Sequence, residues 1–151
     1  MKRNVLLIAA LFGLLGSCAP AVSGVVKTGV QLAGPAVELA ENDPATFVHG
    51  GKDVLLTNKG TDALTGDPSR AVDGVSIVLV GTPDLVVTAK APLGGNACSP
   101  GTRAGYWRCF VPVVLPGQAF RVVPKAGAIQ SGSASYYRAS RGALLIVKNL
   151  K

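Results

Sequence analysis

Apolar positions along this chain fall into two regimes. The first is a single run, Val5 to Leu15 (VLLIAALFGLL), interrupted only by Gly13 and preceded by Lys2 and Arg3. Its 11 residues are too few for a bilayer-spanning helix, which needs about 20. They fit the charged n-region and apolar h-region of a secretory signal. No later segment approaches spanning length. The second regime begins near Ala36 and consists of short apolar blocks cut by turn residues. Between the two, APAVSGVVKTGVQLAGP (19–35) is small, weakly charged and dotted with glycine, which reads as a tether. Alternatively, Val25 to Leu32 forms a short helix or adds a strand.

The short blocks read as strands. Lys52 to Asn58 (KDVLLTN) ends at the turn cue Asn58-Lys59-Gly60. Thr61 to Asp73 is a polar loop with Asp67-Pro68, and Asp73-Gly74 closes it. Val75 to Val80 (VSIVLV) is apolar enough for a strand buried on both faces. Gly81-Thr82-Pro83-Asp84 turns the chain into Leu85 to Lys90 (LVVTAK), and Pro92 to Gly105 is a Gly/Pro-rich loop. In Tyr106 to Val111 (YWRCFV), the period of two puts Trp107, Cys109 and Val111 on one face and Tyr106, Arg108 and Phe110 on the other. Pro116-Gly117 leads into Ala119 to Val123, where Phe120 and Val122 face opposite to Arg121 and Val123. Ser133 to Arg138 and Ala143 to Lys148 flank Ala139-Ser140-Arg141-Gly142, a hairpin loop. About seven to eight short strands in one domain point to an all-β, antiparallel β-sandwich.

Composition agrees with that pattern. Hydrophobic residues make up 48% of 151, aromatics only 5%, and there are 19 Gly and 10 Pro. Charge adds an asymmetry. All eight acids lie between Glu38 and Asp84, whereas the chain from Leu85 onward holds nine Lys or Arg and no acid. Between Cys18 and Asp84 the eight acids meet four bases, Lys27, Lys52, Lys59 and Arg70. A basic half could face an anionic surface, but a sandwich interleaves its two halves in space and blurs such a split.

The residues after the apolar run narrow the reading. Leu15-Gly16-Ser17-Cys18 resembles the lipobox of bacterial lipoproteins. The resemblance implies a signal peptide over residues 1–17, diacylglycerol on the Cys18 thiol, cleavage before Cys18 and acylation of the new amino group. Two or more acyl chains together anchor firmly, since each buried CH₂ contributes about 0.8 kcal/mol. Ala19-Pro20-Ala21 offers the competing site for ordinary secretory cleavage. In an envelope with two membranes, Ala19 in place of Asp gives no inner-membrane retention signal. With Cys18 assigned to lipid, Cys98 and Cys109 remain and pair as a disulfide in an oxidising compartment. The alternative, a metal site on those two cysteines, lacks partners, because His49 is the only histidine.

A second resemblance spans about residues 50 to 125. LLTNKG (55–60), VSIVLVGTPDLVV (75–87), the Cys98…Trp107-Arg108-Cys109 unit and VLPGQAFRVV (114–123) look like the Ig-like conserved-repeat domains of bacterial envelope proteins, domain of unknown function eleven and its adhesion-type relatives. The chain departs from them in having one copy and in the loop at 61–73. The resemblance implies an Ig-like sandwich over residues 36–151, after a lipidated Cys18 and tether at 18–35, and carries no catalytic residues across.

Candidate chemistry is sparse. His49-Gly50-Gly51 superficially looks like an oxyanion-hole loop, yet there is no G-x-S-x-G and no second histidine to act as base. The 61–74 loop matches no standard calcium spacing, and a chain with one Met and one His argues against copper handling. No cofactor, metal, catalytic residue or small-molecule substrate is expected. The expectation is a non-catalytic structural or protein-interaction module, lipid-anchored in the cell membrane or outer membrane and facing the periplasm or the exterior, with an envelope protein as partner. The competing expectation is a binder of an anionic polymer (DNA, lipopolysaccharide or acidic glycan) through Arg108, Arg121, Lys125, Arg138 and Arg141, which lie near Trp107, Tyr136 and Tyr137.

Overall fold

The computed structural model describes residues 37–39, 42–67, 74–142 and 144–151. The signal segment, Cys18, the tether and Asp73 lie outside the described residues. The described chain is all-β. In order, its strands are β1 (Val37–Leu39), β2 (Thr46–Gly50), β3 (Asp53–Thr57), β4 (Leu64–Thr65), β5 (Val75–Gly81) and β6 (Val86–Thr88). They continue with β7 (Cys98–Pro100), β8 (Tyr106–Val111), β9 (Val113–Val114), β10 (Ala119–Ala126), β11 (Ile129–Arg138) and β12 (Leu145–Asn149). Seven of these, β2, β3, β5, β8, β10, β11 and β12, have five or more residues.

The smaller sheet runs β2-β3-β10-β6. The larger runs β1-β12-β11-β5-β8-β7, with β4 beside β11 and β9 beside β4. Every pairing is antiparallel except β1 with β12. Taken in chain order, β2, β3, β5, β6, β10, β11 and β12 occupy the places of the seven strands of an immunoglobulin-like sandwich: four in one sheet, three in the other. Strands β7 to β9 are inserted between the fourth and fifth of these and widen the larger sheet.

Alternation builds the core. Phe47, Val54, Leu56, Val87, Phe120 and Val122 from the smaller sheet meet Val75, Ile77, Leu79, Cys109, Val111, Ala134, Tyr136 and Ile146 from the larger, all buried. The expectation that Val75 to Val80 is buried on both faces is corrected: Val75, Ile77 and Leu79 are buried, while Ser76 and Val78 are half-buried and Val80 is exposed. A central strand of a two-layer sandwich has one face without a covering layer, however apolar its sequence. Two expected loops also hold strands. Leu64 of β4 is fully buried within the 61–73 stretch, and β7 lies inside the 92–105 stretch. His49-Gly50-Gly51 is the end of β2 and its turn. Gly50 pairs with Asp53, and Gly51, at φ 73°, supplies the positive φ of a two-residue hairpin.

Candidate functional site

The five basic residues of the polymer reading do not share a surface. Arg108 on β8 is exposed and points outward from the larger sheet, opposite to partly buried Trp107 and buried Cys109. Arg121 on β10 points outward from the opposite, smaller sheet, between buried Phe120 and Val122, and pairs with Asp53 at 2.9 Å. Lys125 is exposed where the β10–β6 register shifts. Arg141 is exposed in the single 3-10 turn Ala139–Arg141.

Arg138 is a correction: its side chain is only 2% exposed. Its Nε donates to Asp43 Oδ2 at 2.6 Å and its Nη2 to Asp43 Oδ1 at 3.2 Å. Its Nη1 donates to the Asp62 backbone carbonyl at 2.9 Å and to Asp62 Oδ1 at 3.0 Å. Tyr136 Oη donates to Asp43 Oδ1 at 2.7 Å, and the Ala45 amide donates to the same oxygen at 2.9 Å. Asp62 Oδ2 accepts from the Ser140 amide and hydroxyl at 3.0 and 2.7 Å. Both Tyr136 and Tyr137 are buried, although alternation along a strand sends neighbouring side chains to opposite faces. The end of β11 is enclosed by β12, β4 and the 43–45 and 58–62 segments, so strand alternation no longer decides exposure there.

Electrostatics follow from that enclosure. Burial pushes the Asp43 carboxyl up, but hydrogen bonds from Arg138, Tyr136 and the Ala45 amide, with the guanidinium charge, outweigh it and hold the group below its usual range. For Asp62, desolvation is likewise outweighed by the Ser140 bonds and by Arg138. Burial and the adjacent Asp43 push the Tyr136 phenol well above its ordinary value. Lys148, whose Nζ donates to the Asp43 carbonyl at 2.5 Å, is lowered chiefly by burial. Beside it, between β2 and β12, runs a groove of about 390 Å³ lined by Thr46, Val48, Val147 and Lys151 among others. Among the described residues no group of three or more His, Cys, Asp or Glu is placed to hold a metal ion.

Asn58 shows why the strand before Gly60 ends as it does. It is fully buried; its Nδ2 donates to the carbonyls of Asp62 and Val114, both at 2.9 Å, and its Oδ1 accepts from the Gly60 amide at 3.0 Å. A Cβ on Gly60 would lie 2.5 Å from Arg138 Nη1. The Thr-Asn-x-Gly string therefore encodes the floor on which the Arg138 cluster sits.

The larger sheet leaves a different face open. Its outward side is a grid set by strand register: Ser99, Arg108, Val78, Ser133 and Asn149 across one row, and Phe110, Ser76, Ser135 and Val147 across the next. A further row holds Tyr106, Val80 and Ser131. Val80 is 38% exposed and Phe110 41%, and the Arg108 guanidinium lies over the Phe110 ring at 5.5 Å. Small serines on one side and an arginine-aromatic ridge on the other make a shallow, mixed surface. The YWRCFV alternation places Tyr106, Arg108 and Phe110 together, as the structure does; the serines of β11 needed the register to join them.

Behind that ridge, Cys98 and Cys109 sit directly opposite each other on β7 and β8 and form a disulfide, with S–S 2.06 Å. Trp107, on the same inward side, donates from Nε1 to the Leu85 carbonyl at 2.7 Å. The disulfide and the indole tie β8 to the edge strand and to the β5–β6 turn. No family model, curated protein or solved structure matches this chain.

Proposed function

We propose that this protein is a lipid-anchored component of a bacterial cell envelope, held by Cys18 and acting as a non-catalytic module for protein interaction. The observation that carries the anchor is Leu15-Gly16-Ser17-Cys18 placed directly after an 11-residue apolar run. The Cys98–Cys109 disulfide supports export, because such bonds persist in oxidising compartments. The interaction surface is the outer face of the larger sheet around Tyr106, Arg108 and Phe110. Aromatic residues and arginine are the side chains enriched in binding hot spots, and exposed apolar area rimmed by polar groups suits docking. The anionic-polymer reading has less support, since Arg138 is held inside and Arg108 and Arg121 point from opposite sheets.

Globomycin, which blocks the lipoprotein signal peptidase, is expected to cause the precursor to accumulate, and Cys18→Ser is expected to release the protein from membranes. A Cys18→Ser chain that stays membrane-bound after processing contradicts the anchor. For the face, Arg108→Glu with Phe110→Ser is expected to abolish in-cell crosslinking to the envelope partner while the disulfide and the unfolding midpoint are retained. Unchanged crosslinking contradicts that surface.

A further inference from the structure

One end of the sandwich gathers exposed apolar side chains, and it is the end at which the chain enters. Strand β1 begins at Val37, level with Leu145 at the start of β12. By register, the same end holds Arg138 at the end of β11, Val75 at the start of β5 and Val111 at the end of β8. It also holds Asn58, Leu115 and Gly117, joined through the Asn58–Gln118 and Gly117–Asn58 backbone bonds. Strand β6 runs towards this end and delivers the turn at Ala91 to Gly95 there, before β7 starts back.

At this end Leu93 is 101% exposed, Leu115 46% and Val113 38%. Lys90 to Pro92 face Val113 across one shallow groove of about 220 Å³, so the two loops are neighbours. Pro92, Pro112 and Pro116 are exposed beside them, and no aliphatic partner covers Leu93 among the described residues. The exposed charges on these loops are Lys59 and Lys90. Asp62, at the same end, is half-buried and held by Arg138 and Ser140, and Asp84 is exposed in the β5–β6 turn at the opposite end. Exposed leucines flanked by lysines match the chemistry of an anionic lipid headgroup layer over an acyl interior.

We infer that this end of the domain rests on the membrane, with Leu93 and Leu115 entering the interfacial layer as a second contact beside the lipid anchor. The inference rests on the Cys18 anchor reading. Residues 19–36 number 18, so even a fully extended chain holds the entry end within about 60 Å of the anchor. The anchor therefore holds the entry end, and with it the two leucines, at high effective concentration near the bilayer, where a weak contact is sufficient.

The test uses the full lipidated chain in vesicles of phosphatidylethanolamine and phosphatidylglycerol carrying brominated acyl chains. Leu93→Trp and Leu115→Trp are made separately; both side chains are exposed, so neither change disturbs the core. The native Trp107 pairs with Leu79 towards the far end and is the built-in distal reference. The expected result is that brominated lipid quenches most of the emission added by each new tryptophan and leaves the wild-type emission unchanged. If the protein floats with the vesicles but both new tryptophans stay bright, the end-on contact is wrong and the anchor stands. If the protein does not float with the vesicles, the anchor fails and the contact falls with it.

Discussion

At the scale of single residues, the most consequential side chain is Arg138, an interior cation shared by two carboxylates. Removing one partner of a buried pair leaves the other charge uncompensated, at a cost of about 3–5 kcal/mol. Arg138→Met is therefore expected to lower the urea midpoint severely, whereas the double change Asp43→Leu with Arg138→Met is expected to recover much of the loss; a double-mutant cycle reads the coupling. Acid acts through the same groups. The carboxyls of Asp43 and Asp62 sit below their unfolded value of about 3.9, so their contribution is fully present above that pH and is lost as pH falls through the folded values. The urea midpoint is expected to be flat from pH 7 to about pH 5 in this respect and to fall below about pH 4. Asp43→Asn should remove much of that acid dependence. Arg138 reads in the sequence as a surface base beside tyrosines because its partners lie 95 and 76 residues away. No local pattern joins Asp43 or Asp62 to it.

Among the elements, β8 is the one whose sequence already contains its structure. The alternation in YWRCFV sends Cys109 and Val111 inward and leaves Arg108 and Phe110 outside, and Cys98 is the only remaining partner for Cys109 once Cys18 is assigned elsewhere. The two cysteines are 11 residues apart, and a loop of that size corresponds to about 3 kcal/mol in the chain-entropy account. Cys98→Ser with Cys109→Ser, or dithiothreitol under native conditions, is expected to reduce the free energy of unfolding by roughly that amount. A protein whose unfolding curve ignores reductant would place the bond outside the cooperative unit. Strand β5 is less legible in its sequence. VSIVLV looks the same whether one or two faces are covered, and Val78 and Val80 point outward because no third layer covers them among the described residues. The strands of two or three residues are β6, which the Leu85 to Lys90 block marks, and β1, β4, β7 and β9, which no such block marks. The last four are defined by the neighbours they pair with, which a periodicity argument cannot supply.

At the scale of the whole molecule, the fold divides its labour by surface. The sandwich interior and the Arg138 cluster hold the shape, the outer face of the larger sheet presents Arg108 and Phe110, and the entry end presents Leu93 and Leu115. The charge split along the sequence does not become a split in space, because the two sheets draw strands from both halves of the chain: β3 beside β10, and β5 beside β11. In the proposed reading, attachment through Cys18 gives these surfaces an orientation. We propose that Cys18 becomes the lipidated N-terminus, and intact-mass spectrometry of the protein purified from bacterial membranes reads that end of the chain. The predicted result is the mass of residues 18–151 with one disulfide, a diacylglyceryl group on Cys18 and an acylated amino group. A mass for an unmodified chain beginning elsewhere, after Ala21 for example, would contradict the claim.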